Sequence, residues 1–131
     1  MRIILLSGGS SKRLWPHSND VRSKQFLQVL ESPDDRNESM IQRVVRQIEA
    51  TGNADGIVVA PDEAQADYVR DQLSNSIGIV TEPCRRDTIP AIVLSCSYLA
   101  SEGTDPDEPV IMMPCDTFAD DSYFKTVCRI A

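Results

Sequence analysis

The chain lacks the features of a membrane or secreted protein. Its 131 residues contain no run approaching the roughly 18–20 apolar residues that a membrane-spanning helix needs. The apolar start, Met1 to Leu6, is too short for a secretory signal peptide and is soon followed by glycine. We therefore expect a protein that works in the cytoplasm without a membrane partner.

Cysteine and histidine are scarce as well. The four cysteines, Cys84, Cys96, Cys115 and Cys128, are widely spaced and form no C-x-x-C pair. This spacing predicts neither a zinc site nor a disulfide framework, so we expect reduced and mostly buried thiols. The one histidine, His17, follows Trp15-Pro16 and is expected to be a loop residue rather than a general base.

Positive charge is in deficit overall but concentrated in one region. Thirteen Lys and Arg against 20 Asp and Glu give a formal net charge of −7, which argues against a nucleic-acid-binding surface. Lys12, Arg13, Arg22 and Lys24 nevertheless lie close together in the sequence. A local basic patch in an acidic chain suits a small polyanion that carries its own Mg²⁺.

The apolar pattern alternates between strand and helix in a chain of one-domain length. It predicts strands at 2–7, 56–60, 77–81 and 109–113 and helices near 39–51, 62–75, 88–101 and 123–131. We expect Ser39 and Gln42 to cap the first helix, Gly52 to end it, and segments 31–38 and 103–109 to be surface loops. The alternation predicts an α/β fold with a parallel sheet and ligands at the carboxyl ends of the strands.

The most informative segment directly follows the first strand. It combines two glycines with hydroxyl groups and cations, namely Gly8, Gly9, Ser10, Ser11, Lys12, Arg13 and, further on, Lys24. Glycine lets backbone N–H groups approach phosphate oxygens, and Lys and Arg neutralise them. The spacing fits neither G-x-x-x-x-G-K-[ST] nor G-x-G-x-x-G, which argues against a P-loop kinase and a dinucleotide-binding oxidoreductase. The segment predicts a nucleotide phosphate site, with an exposed Gly/Ser turn as the alternative.

Two motifs in this region resemble a known family. They are Gly8 to Pro16, GGSSKRLWP, and Lys24-Gln25-Phe26. Together they resemble the signature of sugar-phosphate nucleotidyltransferases, and the Leu-Trp-Pro and Lys-Gln-Phe details favour the mannose-1-phosphate guanylyltransferases, or GDP-mannose pyrophosphorylases. The chain departs from the usual pattern at Ser11, where glycine is usual, and at Ser23, where proline is frequent.

A later segment, residues 81–92 (TEPCRRDTIPAI), resembles the same family. Its guanylyltransferase pattern is Glu-Pro-x-x-Arg-Asn-Thr-Ala-Pro-Ala-Ile, with Asp87 and Ile89 as the departures here. The free N–H groups at the start of the predicted helix, together with Thr88 and Arg86, are placed to bind the base or the phosphates. On local chemistry, the same residues also fit an ordinary capped turn with Asp87 or Thr88 as N-cap.

A third segment, residues 110–118 (VIMMPCDTF), resembles the Pro-x-Asp-His stretch of the family, with Thr117 in place of histidine. A carboxylate at the carboxyl end of a strand, near a phosphate loop, is placed to bind Mg²⁺. Asp116 is therefore the metal candidate, although an Asp after a strand is also a common turn former. Asp120 and Asp121 are expected to begin the following helix rather than to bind metal.

The resemblance implies an α/β, three-layer Rossmann-like nucleotidyltransferase fold with a mainly parallel sheet, of which residues 1–131 are the N-terminal nucleotide-binding portion. It implies transfer of GMP from GTP to mannose 1-phosphate, giving GDP-mannose and pyrophosphate, with Mg²⁺ as the cofactor. Arg13, on the pyrophosphate, and Lys24, near the α-phosphate or the sugar phosphate, are the implied catalytic residues. The implied nucleotide-binding residues are Leu6, Gly8, Gly9, Ser10, Ser11, Lys12, Arg13, Arg86, Thr88, Pro90 and Ala91.

Family members are well over twice as long as this chain, and the resemblance covers the front of the family domain. We therefore expect the sugar-binding residues and a second metal carboxylate to lie outside this sequence, and these 131 residues to be inactive on their own. Two alternatives remain open: a nucleotidyltransferase for another base or sugar, and a non-catalytic nucleotide-binding module. Nucleic acid is not an expected partner, and an oligomer is compatible with the sequence.

Overall fold

A four-stranded parallel sheet forms the centre of the molecule. The computed structural model describes residues 1–7, 23–84 and 87–130. In chain order its elements are β1 (Arg2–Leu6), β2 (Leu30–Glu31), β3 (Asn37–Glu38), α1 (Met40–Glu49), β4 (Gly56–Ala60), α2 (Ala66–Gln72), β5 (Gly78–Ile79), α3 (Thr88–Ser101), β6 (Val110–Pro114) and α4 (Asp121–Ile130). The predicted α/β class with a mainly parallel sheet is confirmed.

The order of the strands in this sheet is β5-β4-β1-β6, and all neighbours are parallel. After β1 the chain builds one side of the sheet, through β4 to β5, and then crosses back to place β6 on the other side of β1. The register pairs Leu6 with both Ala60 and Pro114. In open α/β sheets, ligands bind outside the carboxyl ends of the strands where the order reverses, and here that point lies between β1 and β6.

Helices cover both faces of the sheet, which gives three layers. Alternate side chains of a strand point to opposite faces, so Ile3 and Leu5 belong to one core and Ile4 to the other. The first core joins the sheet to α1, α2 and α4 through Ile41, Val44, Ile48, Val69, Phe124 and Cys128. The second core joins Ile4 and Val58 to Leu99 of α3.

Helix α1 begins and ends as its sequence predicts. Ser39 accepts a hydrogen bond from the Gln42 backbone N–H at 3.4 Å, and the Gln42 side chain accepts one from the Ser39 N–H at 2.9 Å. This reciprocal pair is the predicted capping box. After the helix, Gly52 has φ +68, a conformation that glycine adopts without strain.

The prediction of a surface loop over 31–38 was wrong in part. Its ends form a small antiparallel hairpin in which Leu30 pairs with Glu38 and Glu31 with Asn37. The hairpin closes because the Ser32 N–H donates to the Arg36 carbonyl at 2.9 Å. Each strand has only two residues, which is too few for an alternating pattern to be visible in the sequence.

Other predicted elements occur with shifted ends. Strand β5 has two ladder residues instead of the predicted 77–81, although the Val80 N–H still donates to the Val59 carbonyl at 2.9 Å. The helix predicted at 62–75 is a 3₁₀ turn, Glu63–Gln65, followed by α2. Helix α4 begins at Asp121, two residues before the predicted start. Segment 103–109 is a loop, as predicted, between α3 and β6.

Helix α3 has no charged residue and leaves apolar side chains exposed. Ile89 is 74% exposed and Val93 is 58% exposed. Met112 of β6, which pairs with Ile4 in the sheet, is also exposed. Within residues 1–7, 23–84 and 87–130, no helix has the length and apolarity that crossing a bilayer requires.

Candidate functional site

The ends of β1 and β6 bring two of the predicted motifs to one edge of the sheet. Leu6 ends β1, and its carbonyl accepts a hydrogen bond from the Cys115 N–H at 3.1 Å. Ser7 then leads into the predicted phosphate segment, and Asp116 follows Cys115. The predicted metal ligand therefore lies beside the start of the predicted phosphate loop, as the parallel sheet requires.

Several predicted site residues lie outside the described residues. They are Gly8, Gly9, Ser10, Ser11, Lys12, Arg13 and Arg86. Their roles in binding phosphate stay predictions. The described residues Leu6, Lys24, Thr88, Pro90, Ala91 and Asp116 can be placed in the fold.

Lys24 and Asp116 are in direct contact. The Lys24 Nζ lies 2.6 Å from the Asp116 Oδ2, a charge-assisted hydrogen bond. The two side chains are 47% and 37% exposed, so solvent reaches both. The structure thus joins the predicted catalytic cation to the predicted metal ligand, although they come from different motifs of the sequence.

An open cleft lies beside this pair. It has a volume of about 190 Å³ and is lined by Lys24, Gln25, Leu27, Val29, Leu30, Met40 and Asp116. Its walls are largely apolar, and the two charged groups are Lys24 and Asp116. A cleft with apolar walls and a few convergent polar groups is the usual form of a small-molecule site.

The backbone on both sides of the predicted phosphate loop is held by buried amides. Gln25 is 4% exposed, and its Nε2 donates to the Ser7 carbonyl at 2.8 Å. At the far end of the loop, the Gln65 Nε2 donates to the Ser23 Oγ at 2.7 Å, and both side chains are fully buried. Ser7 and Ser23, which flank the predicted phosphate loop, are therefore fixed in place.

These anchoring roles were missed in the sequence. Gln25 lies inside the Lys24-Gln25-Phe26 motif, so its position gave a signal that it matters, but not why. Gln65 gave no signal, because a glutamine in a predicted helix usually faces solvent. Ser23, the departure from proline, has φ −71 and ψ 161, an extended conformation that proline also adopts. Its hydroxyl adds the contact to Gln65.

The loop after β6 is attached to helix α1. The Gln47 Nε2 donates to the Ala119 carbonyl at 3.1 Å and to the Asp121 Oδ1 at 2.7 Å. The Arg43 guanidinium lies 4.9 Å from the centre of the Phe118 ring. These contacts fix the segment that carries Asp116.

Asp120 and Asp121 belong to the start of α4, as predicted. The Asp120 Oδ1 accepts hydrogen bonds from the Ser122 Oγ at 2.6 Å and from the backbone N–H groups of Ser122 and Tyr123 at 3.0 and 3.1 Å. The hydrogen bond from the Ser122 side chain is the main reason that the pKa of Asp120 is lowered. Asp121 accepts from Gln47.

The donor set at Asp116 fits a cation that arrives with its substrate. Among the residues that the structure describes, no three His, Cys, Asp or Glu side chains converge on a common point. Mg²⁺ is commonly held by one or two carboxylates together with substrate phosphates and water. Asp116 offers one half-exposed carboxylate at the edge of the cleft, and this fits such shared coordination rather than a metal cage made of protein alone.

The predicted motif at residues 81–92 lies at the start of α3. Thr88 is the first residue of the helix, Pro90 is the third, and Ala91 is buried. Pro90 has no N–H, so the first-turn N–H groups that lack an intrahelical acceptor belong to Thr88 and Ile89. This turn follows β5, a strand that lies two positions, or about 10 Å, from β1 in the sheet.

Asp87 does not act as a normal N-cap. It occupies the position before α3, but its side chain makes no capping hydrogen bond. Its φ is 65 and its ψ −169, a region that is costly for any residue but glycine. Strained backbone of this kind occurs often at binding sites, so the interpretation as an ordinary capped turn loses support.

Cys115, next to Asp116, is expected to be inert. Cys115 is 2% exposed, and burial raises the pKa of its thiol to about 12. Because the thiolate is the reactive form, dithionitrobenzoate at pH 8 should modify the exposed Cys84 rapidly and Cys115 only after unfolding. Release of thionitrobenzoate measures both phases. A fast phase of unchanged amplitude in the Cys84→Ser variant would contradict this assignment.

Comparisons with a family model and with related sequences agree on one family for this chain. A family model described as "Nucleotidyl transferase" matches residues 2–131. The chain is 30% identical over 115 residues to the mannose-1-phosphate guanylyltransferase RfbM of Salmonella typhimurium, and the match covers 84% of this chain and 22% of that protein. It is 33% identical over 122 residues to the alginate biosynthesis protein AlgA of Pseudomonas fluorescens, covering 90% of this chain and 24% of that protein.

A solved structure has the same fold. It is described as a mannose-1-phosphate geranyltransferase from Thermus thermophilus, with a TM-score of 0.80 and 23% identity. The match covers 98% of this chain and 36% of that one. The chain therefore spans about a quarter of the length of these sequence relatives and about a third of the structural neighbour. The predicted resemblance and the predicted fold are confirmed.

Proposed function

Because this chain belongs to the nucleotidyl transferase family, we propose that it forms the nucleotide-binding part of a mannose-1-phosphate guanylyltransferase. The observation that carries the proposal is the contact between Lys24 and Asp116 at the carboxyl edge of β1 and β6. It supports the proposal because a lysine and a carboxylate, residue types that bind phosphate and Mg²⁺, lie together where the predicted phosphate loop begins. GTP and mannose 1-phosphate are the proposed substrates, and the products are GDP-mannose and pyrophosphate.

The proposed reaction is an in-line displacement at phosphorus. An oxygen of the sugar phosphate attacks the α-phosphorus of GTP, and the bond to the bridging oxygen of pyrophosphate breaks. No covalent nucleophile of the protein is required, so the chain's own work is to position anions and to neutralise their charge. Lys24 binds near the α-phosphate or the sugar phosphate, and Arg13 is proposed to hold the departing pyrophosphate.

Mg²⁺ is the proposed cofactor, and Asp116 is its ligand in this chain. When bound with the nucleotide, the ion neutralises charge on the phosphates and on the leaving pyrophosphate. The remaining nucleotide contacts are assigned to the glycine-rich segment and to the start of α3, where Thr88 and Ile89 have first-turn N–H groups for an anion. We propose a cytoplasmic location, which the four free thiols support because a reducing compartment maintains them.

Nucleotide binding tests the proposal directly. Isothermal titration calorimetry of the 131-residue chain with GTP, with and without Mg²⁺, should show binding that Mg²⁺ strengthens. The Arg13→Ala variant should bind GTP more weakly by a factor of roughly ten or greater, since a charge-assisted hydrogen bond contributes about 1.5–3 kcal/mol. Arg129→Ala, on the exposed side of α4, is the matched control and should bind GTP like the unchanged chain.

Two further outcomes separate the alternatives. A preference for UTP or dTTP over GTP would contradict the guanylyl assignment and favour a nucleotidyltransferase for another base. Pyrophosphate release from GTP and mannose 1-phosphate tests the catalytic part. We expect the 131-residue chain to bind GTP without turnover, because it spans about a quarter of its active relatives' length. Turnover by this chain would contradict that expectation and exclude a module that only binds nucleotide.

A further inference from the structure

The contact between Lys24 and Asp116 has a consequence for the order of events at the site. We propose that the divalent cation and the Lys24 ammonium compete for the Asp116 carboxylate, so that arrival of the cation releases Lys24 to bind phosphate. This inference rests on the proposed function, in which Asp116 is the metal ligand. It adds a coupling between two residues that the sequence motifs treat separately.

The pair has the geometry of an exchangeable contact. The Lys24 Nζ lies 2.6 Å from the Asp116 Oδ2, so the ammonium occupies the oxygen that a cation would use. Both side chains are between a third and a half exposed, so ions reach them from solvent. An ion pair this exposed contributes little to folding, which makes it inexpensive to open.

The backbones beneath the pair are fixed, so opening needs only rotation of side chains. Lys24 begins a 3₁₀ turn whose next two residues, Gln25 and Phe26, are buried. Asp116 follows the buried Cys115, whose N–H is bonded to the Leu6 carbonyl. Lysine has a long, flexible stem, so its ammonium can swing away from Asp116 while its Cα stays in place.

Electrostatics makes the exchange cooperative. A divalent cation on Asp116 repels the Lys24 ammonium, and a phosphate on Lys24 repels the Asp116 carboxylate. When cation and phosphate bind together, the ion pair between Lys24 and Asp116 has to be broken only once. The phosphate then neutralises the ammonium that the cation repels, and the cation neutralises the carboxylate that the phosphate repels. Each ligand therefore strengthens binding of the other, and this coupling is reciprocal. In the absence of ligands, the pair keeps the two charges satisfied.

Manganese binding tests the cation side of the exchange. Mn²⁺ takes the same oxygen ligands as Mg²⁺ and is detected by electron paramagnetic resonance without nucleotide or activity. With the 131-residue chain we expect Lys24→Met to bind Mn²⁺ roughly two- to fivefold more tightly, the range set by an exposed ion pair. Lys24→Arg should restore the weaker binding, and Asp116→Asn should remove the part of Mn²⁺ binding that depends on the residue at position 24.

Lys125→Met is the matched control for loss of one positive charge. Lys125 is an exposed residue of α4, and its replacement should leave Mn²⁺ binding unchanged. Equal affinity of the unchanged chain and Lys24→Met would overturn the proposal, as would an equal gain in Lys125→Met. The absence of any Mn²⁺ binding that depends on Asp116 would overturn it too. Far-ultraviolet circular dichroism checks that each variant is folded.

The phosphate side is tested with pyrophosphate in EDTA. Asp116→Asn should bind pyrophosphate roughly two- to fivefold more tightly than the unchanged chain, because the competing carboxylate has gone. In the Lys24→Met variant, Asp116→Asn should leave the affinity for pyrophosphate unchanged. A gain in affinity that persists there would come from the loss of one negative charge in general, and it would contradict the exchange. If Mn²⁺ exchange is found but GTP does not bind, the proposed function fails and the exchange stands. If GTP binds but Mn²⁺ exchange is not found, the exchange fails and the proposed function stands.

Discussion

Replacing Phe124 with alanine is expected to lower the free energy of unfolding by about 3–5 kcal/mol, the usual cost of removing a buried phenyl ring. Phe124 is 0% exposed and belongs to the core between the sheet, α1 and α4. The ring fills space that surrounding side chains cannot close, so its removal leaves a cavity in addition to the lost transfer energy. Urea denaturation followed by circular dichroism measures the change.

The neighbouring Tyr123 provides the control. Its ring meets that of Phe124 edge to face, with centroids 5.2 Å apart, but it is 42% exposed. Tyr123→Ala removes an aromatic ring from the same helix, so it tests whether burial or helix propensity sets the cost. We expect a clearly smaller loss for Tyr123→Ala. Equal losses for the two variants would show that α4 is not held by the Phe124 core.

This core also matters for the site. Helix α4 begins immediately after the segment that carries Asp116, and Gln47 of α1 bonds to both Ala119 and Asp121. The packing of Phe124 keeps α4 close to α1, so the hydrogen bonds from Gln47 can form. Loss of the ring should therefore weaken Mg²⁺-dependent nucleotide binding as well as the fold.

Local patterns explain how much of the fold the sequence could predict. Strand 56–60 and helix 88–101 were predicted with the boundaries that the structure shows, because each is a mainly apolar run bounded by turn residues. The capping box at Ser39 was also predicted, since it needs only residues three apart. The hairpin over Leu30 to Glu38 was not predicted, because two-residue strands have no visible period.

The site could be predicted by residue type but not by contact. Lys24 and Asp116 were identified from two separate motifs. The positive charge of Lys24 suggested a role in binding phosphate, and the negative charge of Asp116 suggested a role in binding metal. Their contact depends on β6 lying beside β1, which no local pattern specifies. The buried amides gave even less signal, because Gln25 and Gln65 act through hydrogen bonds to residues far away in the chain.

Replacing Gln25 with glutamate is the second substitution with a large expected effect. The Gln25 Nε2 donates to the buried Ser7 carbonyl at 2.8 Å. An ionised carboxylate at this position has no proton to donate, so it faces the carbonyl oxygen as a buried, uncompensated charge. At pH 8 we expect the free energy of unfolding to fall by roughly 3 kcal/mol, equivalent to a rise of about two units in the pKa of the introduced carboxyl.

The pH dependence distinguishes this cause from a loss of packing. Burial and the Ser7 carbonyl both favour the protonated carboxyl, so its pKa is raised in the folded state. A group with a raised folded pKa contributes stability that is complete below its unfolded pKa and is lost as the pH rises through the folded value. Gln25→Glu should therefore approach the unchanged chain in stability near pH 5, where the carboxyl can donate to Ser7, and fall away from it by pH 8.

Gln25→Leu is the matched variant without a titrating group. It also removes the donor to Ser7, and we expect a loss of about 1–3 kcal/mol that is the same at both pH values. Urea midpoints of the three proteins at pH 5 and pH 8 provide the comparison, and a constant gap between the two variants would contradict the role assigned to this hydrogen bond. Because Ser7 leads into the predicted phosphate loop, both variants should also bind GTP more weakly at pH 8. The glutamate variant should recover more of this binding as the pH falls, since only its side chain regains a donor to hold Ser7 in place.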